Sequence, residues 1–345
     1  MPRDEATRIA ARFAPVFSHK VSDEWPAADQ FARVDFGGPL STIAKNPSRL
    51  FALDHDHEFD DPTVYYSVCE TTTHWFIVYA VYHPFDWWKR GKPNNLYDAI
   101  RDRVDEHAHD MEGALVVVRK VAEWMAAGRR KSPVSPVLVV DGLVTVSHLN
   151  FYLFTEPQRP TKKGESKPAA GLPSFRVVKF NETVDGNIWL DKDTGRIKLY
   201  VESRGHGIRG DHSSWGGGDR VWYYRLKGIG GDPSELNDDD ETRVFKYELE
   251  DLFASRGLWD HRYDENVFLQ GENGRWGFTC LDKLTKGQPA ASAANPPWGW
   301  NDHNDSSPIG EIATNPAWFI TRYAQGWGPV SQEYVRNPYF GIGMD

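Results

Sequence analysis

Val64-Tyr65-Tyr66-Ser67-Val68-Cys69-Glu70, then Thr71-Thr72-Thr73, then His74-Trp75-Phe76-Ile77-Val78-Tyr79-Ala80-Val81-Tyr82-His83. Two runs of β-branched and aromatic residues meet across a short polar turn, which reads as an antiparallel hairpin. Nearly every position of the second run is apolar or aromatic. Both of its faces must therefore be covered, and the chain is read as mainly β.

Other elements follow outward from this hairpin. On the N-terminal side, residues 4–13 have helical spacing with Ile9, Phe13 and Val16 near one face, and Pro15 ends the helix. Residues 27–61 are polar and loop-rich. On the C-terminal side, 87–106 is a polar excursion with a short helix near Leu96 to Val104, and 113–119 is a strand. Val121 to Ala127 reads as a strand or a helix. Pro136–Val140 and Leu143–Ser147 flank Asp141-Gly142, a hairpin signal. Residues 156–174 are rich in Pro, Lys and Gly and read as a surface loop or linker. Strand patterns resume at Phe175–Val178, Ile197–Val201 and Val221–Leu226, and Tyr247 to Phe253 suggests a short helix. Residues 286–345 read as a loop-rich C-terminal wrap anchored by Trp298, Trp300, Trp318 and Trp327. Neither side of the 156–174 stretch shows a complete core alone. The expected architecture is one antiparallel β-sandwich domain over 1–345, with peripheral helices and long loops.

The bulk properties exclude several classes. With 345 residues and a net charge of −9, the chain lacks the basic surface of a general nucleic-acid binder. The same charge disfavours docking on anionic lipid. No apolar run reaches the length of a transmembrane helix. Cys69 and Cys280 are the only cysteines and read as reduced core residues, with a bridge between them left open. The N-terminus shows no apolar leader, which points to a cytoplasmic protein, or to a secreted one whose leader has been removed. The 14 Trp, 14 Tyr and 18 Phe suit a β core, and some can line a groove for a flat ligand.

The chemistry concentrates in His107-Ala108-His109-Asp110-Met111-Glu112-Gly113. Burying such a cluster costs free energy unless something balances its charge, and a divalent cation is the simplest balance. Asp110 and Glu112, two apart on a strand, face the same side about 7 Å from each other. His107 stands where the chain enters the strand, and Asp86 lies just past Pro84 at the end of the preceding one.

These residues carry a resemblance. Tyr79-Ala80-Val81-Tyr82-His83-Pro84-Phe85-Asp86, followed by the His107–Gly113 heptapeptide, resembles the paired motifs of the necrosis-inducing protein (NLP) superfamily. The family pattern is Y-A-x-Y-x-P-x-D and then G-H-R-H-D-W-E. The resemblance implies a central antiparallel β-sandwich and one divalent cation, Mg or Ca, with Mn as an alternative. It implies Asp86, His107, Asp110 and Glu112 as the metal ligands. Glu106, Ala108 and Met111 depart from the family's Gly, Arg and Trp. The excursion is longer than in plant-toxic members, which are secreted and usually carry disulfides. The resemblance thus bears on fold and metal more than on toxicity.

Several further clusters were weighed. Asp54-His55-Asp56-His57-Glu58-Phe59-Asp60-Asp61 is rich in ligand types but precedes a strand as a polar loop would. Asp238–Glu241 reads as a solvated turn, and Gly216-Gly217-Gly218 lacks the Lys and Ser/Thr of a phosphate loop. In Arg204-Gly205-His206-Gly207, flanking glycines let His206 approach a pocket closely. Arg204 is a candidate anion contact or a partner of Glu202.

Three functions follow. The first is a divalent-metal-dependent binding protein whose ligand is sugar-like, a polar lipid headgroup or a phosphate-bearing molecule, with Trp87, Trp88 and Arg204 at the rim. The second is a metal-dependent hydrolase with His109 as general base and His83 or His206 as acid or orienter. The third is a structural metal in an interaction domain.

Overall fold

The computed structural model describes residues 1–23, 26–38, 62–86, 107–120, 140–148, 150–160, 166–168, 184–210, 220–228, 242–264, 267–268, 294–302, 307–323 and 330–344. Its strands are β1 (Val16–Val21), β2 (Thr63–Thr71), β3 (His74–Asp86), β4 (His107–Arg119), β5 (Val140–Ser147), β6 (Asn150–Pro160), β7 (Ser166–Pro168), β8 (Val184–Trp189), β9 (Lys198–Val201), β10 (Ile208–Arg209), β11 (Arg220–Leu226), β12 (Thr242–Asp251) and β13 (Tyr334–Arg336). Helix α1 covers Arg3–Phe13, α2 Glu311–Thr314 and α3 Pro316–Tyr323.

The protein is mainly β, as its sequence pattern requires, but the pairing is not that of an antiparallel sandwich. The described strands join one sheet in the order β10-β9-β1-β11-β12-β2-β3-β4-β5-β6-β7, with β13 on β2 and β8 on β6. From β2 to β7 the neighbours are antiparallel, and Val64↔Val81 through Glu70↔Trp75 is the hairpin read from sequence. Elsewhere β1 runs parallel to β9, β11 to β12, β12 to β2 and β8 to β6. Parallel pairs need long crossovers and leave no hairpin signal, so a reading built on hairpins misses them.

Both faces of β3 are covered. Trp75, Ile77, Tyr79 and Val81 join one apolar cluster, and Phe76, Val78, Ala80 and Tyr82 join another. Strand alternation sends them to opposite sides of the sheet. Helix α1 buries Ala6, Ile9, Ala10 and Phe13 against the first cluster. Its last carbonyls are capped by Arg196, whose guanidinium donates to Ala11 O at 3.0 Å and Ala14 O at 2.6 Å.

Three local expectations change. Asp141-Gly142 is not a hairpin turn: both residues lie within β5, paired with β4 and β6, and the chain turns only after Ser147. Tyr247 to Phe253 is not a helix: β12 runs through it to Asp251. Phe245, Tyr247 and Leu249 all pack on the first cluster, a period-2 pattern, and the Tyr247 hydroxyl donates to Pro15 O at 2.7 Å. The 156–174 stretch is not wholly loop, because β6 reaches Pro160 and pairs with β7. In the C-terminal stretch, α2, α3 and β13 accompany buried Trp298 and Trp300. No helix among the described residues is long and apolar enough to cross a membrane. The strand patterns at Val121–Ala127 and Phe175–Val178, the helix near Leu96–Val104, the Asp54–Asp61 cluster, Gly216–Gly218, Asp238–Glu241, Trp327 and Cys280 lie outside the described residues. Cys69 is a buried free thiol.

Candidate functional site

Strands β3 and β4 pair in the register Val81↔Glu112, His83↔Asp110 and Asp86↔His107. Asp110 and Glu112 therefore sit two apart on the side of β4 that continues into Ala114 and Val116 of the first cluster. His83 shares that face of the sheet by alternation from Val81. Asp86 closes β3 opposite the backbone of His107, whose side chain, like Trp87 and Trp88, lies outside the described residues.

Other elements complete the site. His19 comes from β1, and Asp29 from the segment that follows it. His206 comes from the tight turn between β9 and β10. The Nδ1 of His206 lies 3.0 Å from Asp110 Oδ2, and its Nε2 lies 3.2 Å from Asp29 Oδ1. Asp29 is fixed in turn, its Oδ2 accepting from the Ser22 amide at 2.6 Å and its Oδ1 from the Arg204 amide at 3.0 Å. Arg204 thus enters the site through its main chain. The carboxylate of Glu202 instead faces His148, at 3.5 Å from Nε2.

The electrostatics follow from burial. Burial alone would lower the pKa of His206. The hydrogen bonds to Asp110 and Asp29 outweigh it and hold the imidazole up at about 9, so both ring N–H groups donate. Burial pushes the Glu112 carboxyl well above its ordinary range, and neighbouring Asp110 adds to this. Glu112 Oε1 accepts from the His148 amide at 2.7 Å. Its Oε2 is buried with no hydrogen-bond partner among the described residues. Burial likewise takes His83 well below 6.5, the nearby His206 and His19 adding to the effect. It takes His19 down to about 3, against an opposing pull from Asp29. His83 and His206 stack face to face, with centroids 3.7 Å apart and planes 5° apart.

Backbone geometry supports the assembly. Among the described residues, the non-glycine residues with positive φ are His109, His148, Arg204, His206 and Arg256. His148, Arg204 and His206 belong to the site or to the turns framing it, and His109 precedes Asp110 on β4. A left-handed residue without glycine costs about 1–2 kcal/mol, and such strain concentrates at functional sites. The glycines around His206 are there for close approach. A Cβ on Gly205 would meet His148 Cε1 at 2.6 Å, and one on Gly207 would meet Ser147 Oγ at 2.2 Å.

The structure thus gathers His83, His206, Asp110 and Glu112 of the residues singled out in sequence. It directs His109 elsewhere. The Nδ1 of His109 lies 2.7 Å from the Tyr82 hydroxyl, on the face of the second apolar cluster. His19 and Asp29 were not singled out. The one signal for His19 is a histidine set in the otherwise β-forming run Val16–Val21. Asp29 carries no local signal at all.

No family model and no curated protein match the chain. Solved structures do align with it. One is described as a toxin fold for microbial attack and plant defence: 15% identity over 81% of this chain and 88% of that one, TM-score 0.34. NLPPya in complex with mannosamine aligns at 14% identity over 83% and 91% of the two chains, TM-score 0.34. The non-toxic HaNLP3 protein aligns at 12% identity over 75% and 79%, TM-score 0.32.

Proposed function

We propose that the protein is a divalent-metal-dependent binding protein, with a hard cation held at Asp110 and Glu112 on β4. The observation that carries this reading is the charge and hydrogen-bond state of the cluster. Asp29, Asp110 and Glu112 are buried around one imidazolium, His206. Ionised together, these carboxylates and Asp86 exceed the single positive charge of His206, and a divalent cation offsets the excess. The buried Oε2 of Glu112 is an oxygen donor without a protein partner among the described residues. Hard cations such as Mg and Ca take such carboxylate oxygens. Asp86 and His107, which face each other in the β3–β4 register, are the further ligands in this reading. A bound cation would supply a positive centre for hydroxyl or phosphate oxygens of a small ligand.

Calorimetric titration of Mg²⁺ and Ca²⁺ into chelator-treated protein tests the reading, followed by glucosamine, mannosamine and a phosphorylated sugar with and without the metal. Metal binding lost in Asp110→Asn and Glu112→Gln, with sugar binding dependent on the metal, is the expected result. Flat metal titrations would refute it. The hydrolase alternative gains nothing from His109, whose ring is engaged with Tyr82 on the other face of the sheet.

A further inference from the structure

Beside the carboxylates lies a second group of ligand-type side chains. His19, His83 and His206 each bring a ring nitrogen within 4.8 Å of the others, and all three residues are fully buried. His206 commits both nitrogens to carboxylates. Neither nitrogen of His83 meets a hydrogen-bond partner among the described residues. Neither nitrogen of His19 makes a hydrogen bond of ordinary geometry, although the Glu202 backbone lies beside it. Unpartnered buried polar atoms destabilise a fold unless something satisfies them. The burial that keeps these two imidazoles neutral also keeps them in the form that binds metals.

Ring orientation decides which residues can share an ion. An imidazole donates along its own ring plane. The planes of His83 and His206 are parallel and offset by the stack, so one ion cannot lie in both. His19 stands 71° from His83 with centroids 5.2 Å apart, so the planes are not stacked, and a ring nitrogen of each lies within 4.8 Å of the other.

We propose that His19 and His83 are the core of a second metal site, a nitrogen-donor site for a borderline divalent transition metal such as zinc or cobalt. Imidazole nitrogen selects this class, whereas the neighbouring carboxylate oxygens select Mg or Ca. The two sites thus differ in donor chemistry, and the second does not depend on the first. Because its ligands are fully buried, the ion is taken up as the chain folds.

The test is refolding of the full chain in Co²⁺, with visible absorption for affinity and X-ray absorption for ligand type. The wild type is expected to bind Co²⁺ with imidazole scattering. His19→Phe and His83→Phe are each expected to weaken Co²⁺ binding tenfold or more. Absent imidazole scattering in the wild type, or a smaller loss in both variants, overturns the proposal. If a variant does not fold in chelator, the wild-type X-ray absorption decides alone. Failure of the carboxylate reading looks different: Mg²⁺ and Ca²⁺ titrations are flat while the Co²⁺ signal stands.

Discussion

His206 Nδ1 donates to Asp110 Oδ2 across 3.0 Å, which ties the turn between β9 and β10 to the middle of the sheet at β4. The same ring is held from its other side by Asp29. The bond joins residues 96 positions apart in sequence, so it reports on tertiary assembly and not on local folding. Its environment is fully buried, where removing one partner of a charge pair is expensive.

Asp29→Ala should therefore destabilise the protein by about 3 kcal/mol. It strips His206 of one carboxylate and leaves the Ser22 and Arg204 amides without their acceptor. Urea unfolding followed by tryptophan fluorescence measures this. A loss below the cost of an ordinary surface substitution would show that the Asp29 contacts do not hold the turn.

Glu112→Gln is expected to act in opposite directions with and without metal. In chelator, replacing the carboxyl beside Asp110 with a neutral amide should raise stability, because burial disfavours the ionised Glu112. With Ca²⁺ or Mg²⁺ present, the variant should lose the rise in Tm that a bound ion gives the wild type. Thermal melts of both proteins in chelator and in millimolar metal separate the two effects.

Gly113 sits where β4 passes beneath Trp300. A Cβ there would lie 2.2 Å from Tyr79 O and 2.4 Å from Trp300 Cη2, and the Trp300 indole donates to Met111 O at 3.1 Å. Gly113→Ala should cost about 2 kcal/mol or more through overpacking. Chemical denaturation with an unchanged m-value would place the loss in the native state.

Tyr79 and Tyr82 are buried, and burial raises both phenols well above 10; Tyr65 and Tyr247 are raised for the same reason. The sign is fixed by linkage. A group whose folded pKa is raised contributes stability that is complete below the unfolded value near 10 and lost as pH climbs through the folded value. Absorbance at an ultraviolet wavelength specific to tyrosinate follows the ionisation of the phenols. The buried phenols should ionise only together with loss of near-ultraviolet circular dichroism. Ionisation of all tyrosines in one reversible step near 10 would contradict their burial.

Much of the central meander was legible because its signals are local. The Val64–His83 hairpin and the strand starting at Gly113 come from runs whose partners lie nearby in sequence. Asp110 and Glu112 could be paired by alternation alone, and the Gly-His-Gly turn marked His206. What escaped is what long-range parallel pairing supplies. Val16↔Lys198 and Thr63↔Glu248 leave no trace in either segment, so His19 and Asp29 could not be placed against His83 and His206. The helix expected at Tyr247 failed for a related reason: the alternation of Phe245, Tyr247 and Leu249 has meaning only once β2 and β11 flank them.

Strand β1 lies between β9 and β11, and this has a bearing on biosynthesis. A nascent chain carries His19 long before the strands that flank it. Its strand neighbours arrive only with residues 198–201 and 220–226. Until then β1 has no strand to pair with, and its apolar Val16, Phe17 and Val21 need shelter. A chain cut short before residue 198 would carry most of the meander but neither strand neighbour of β1, nor His206.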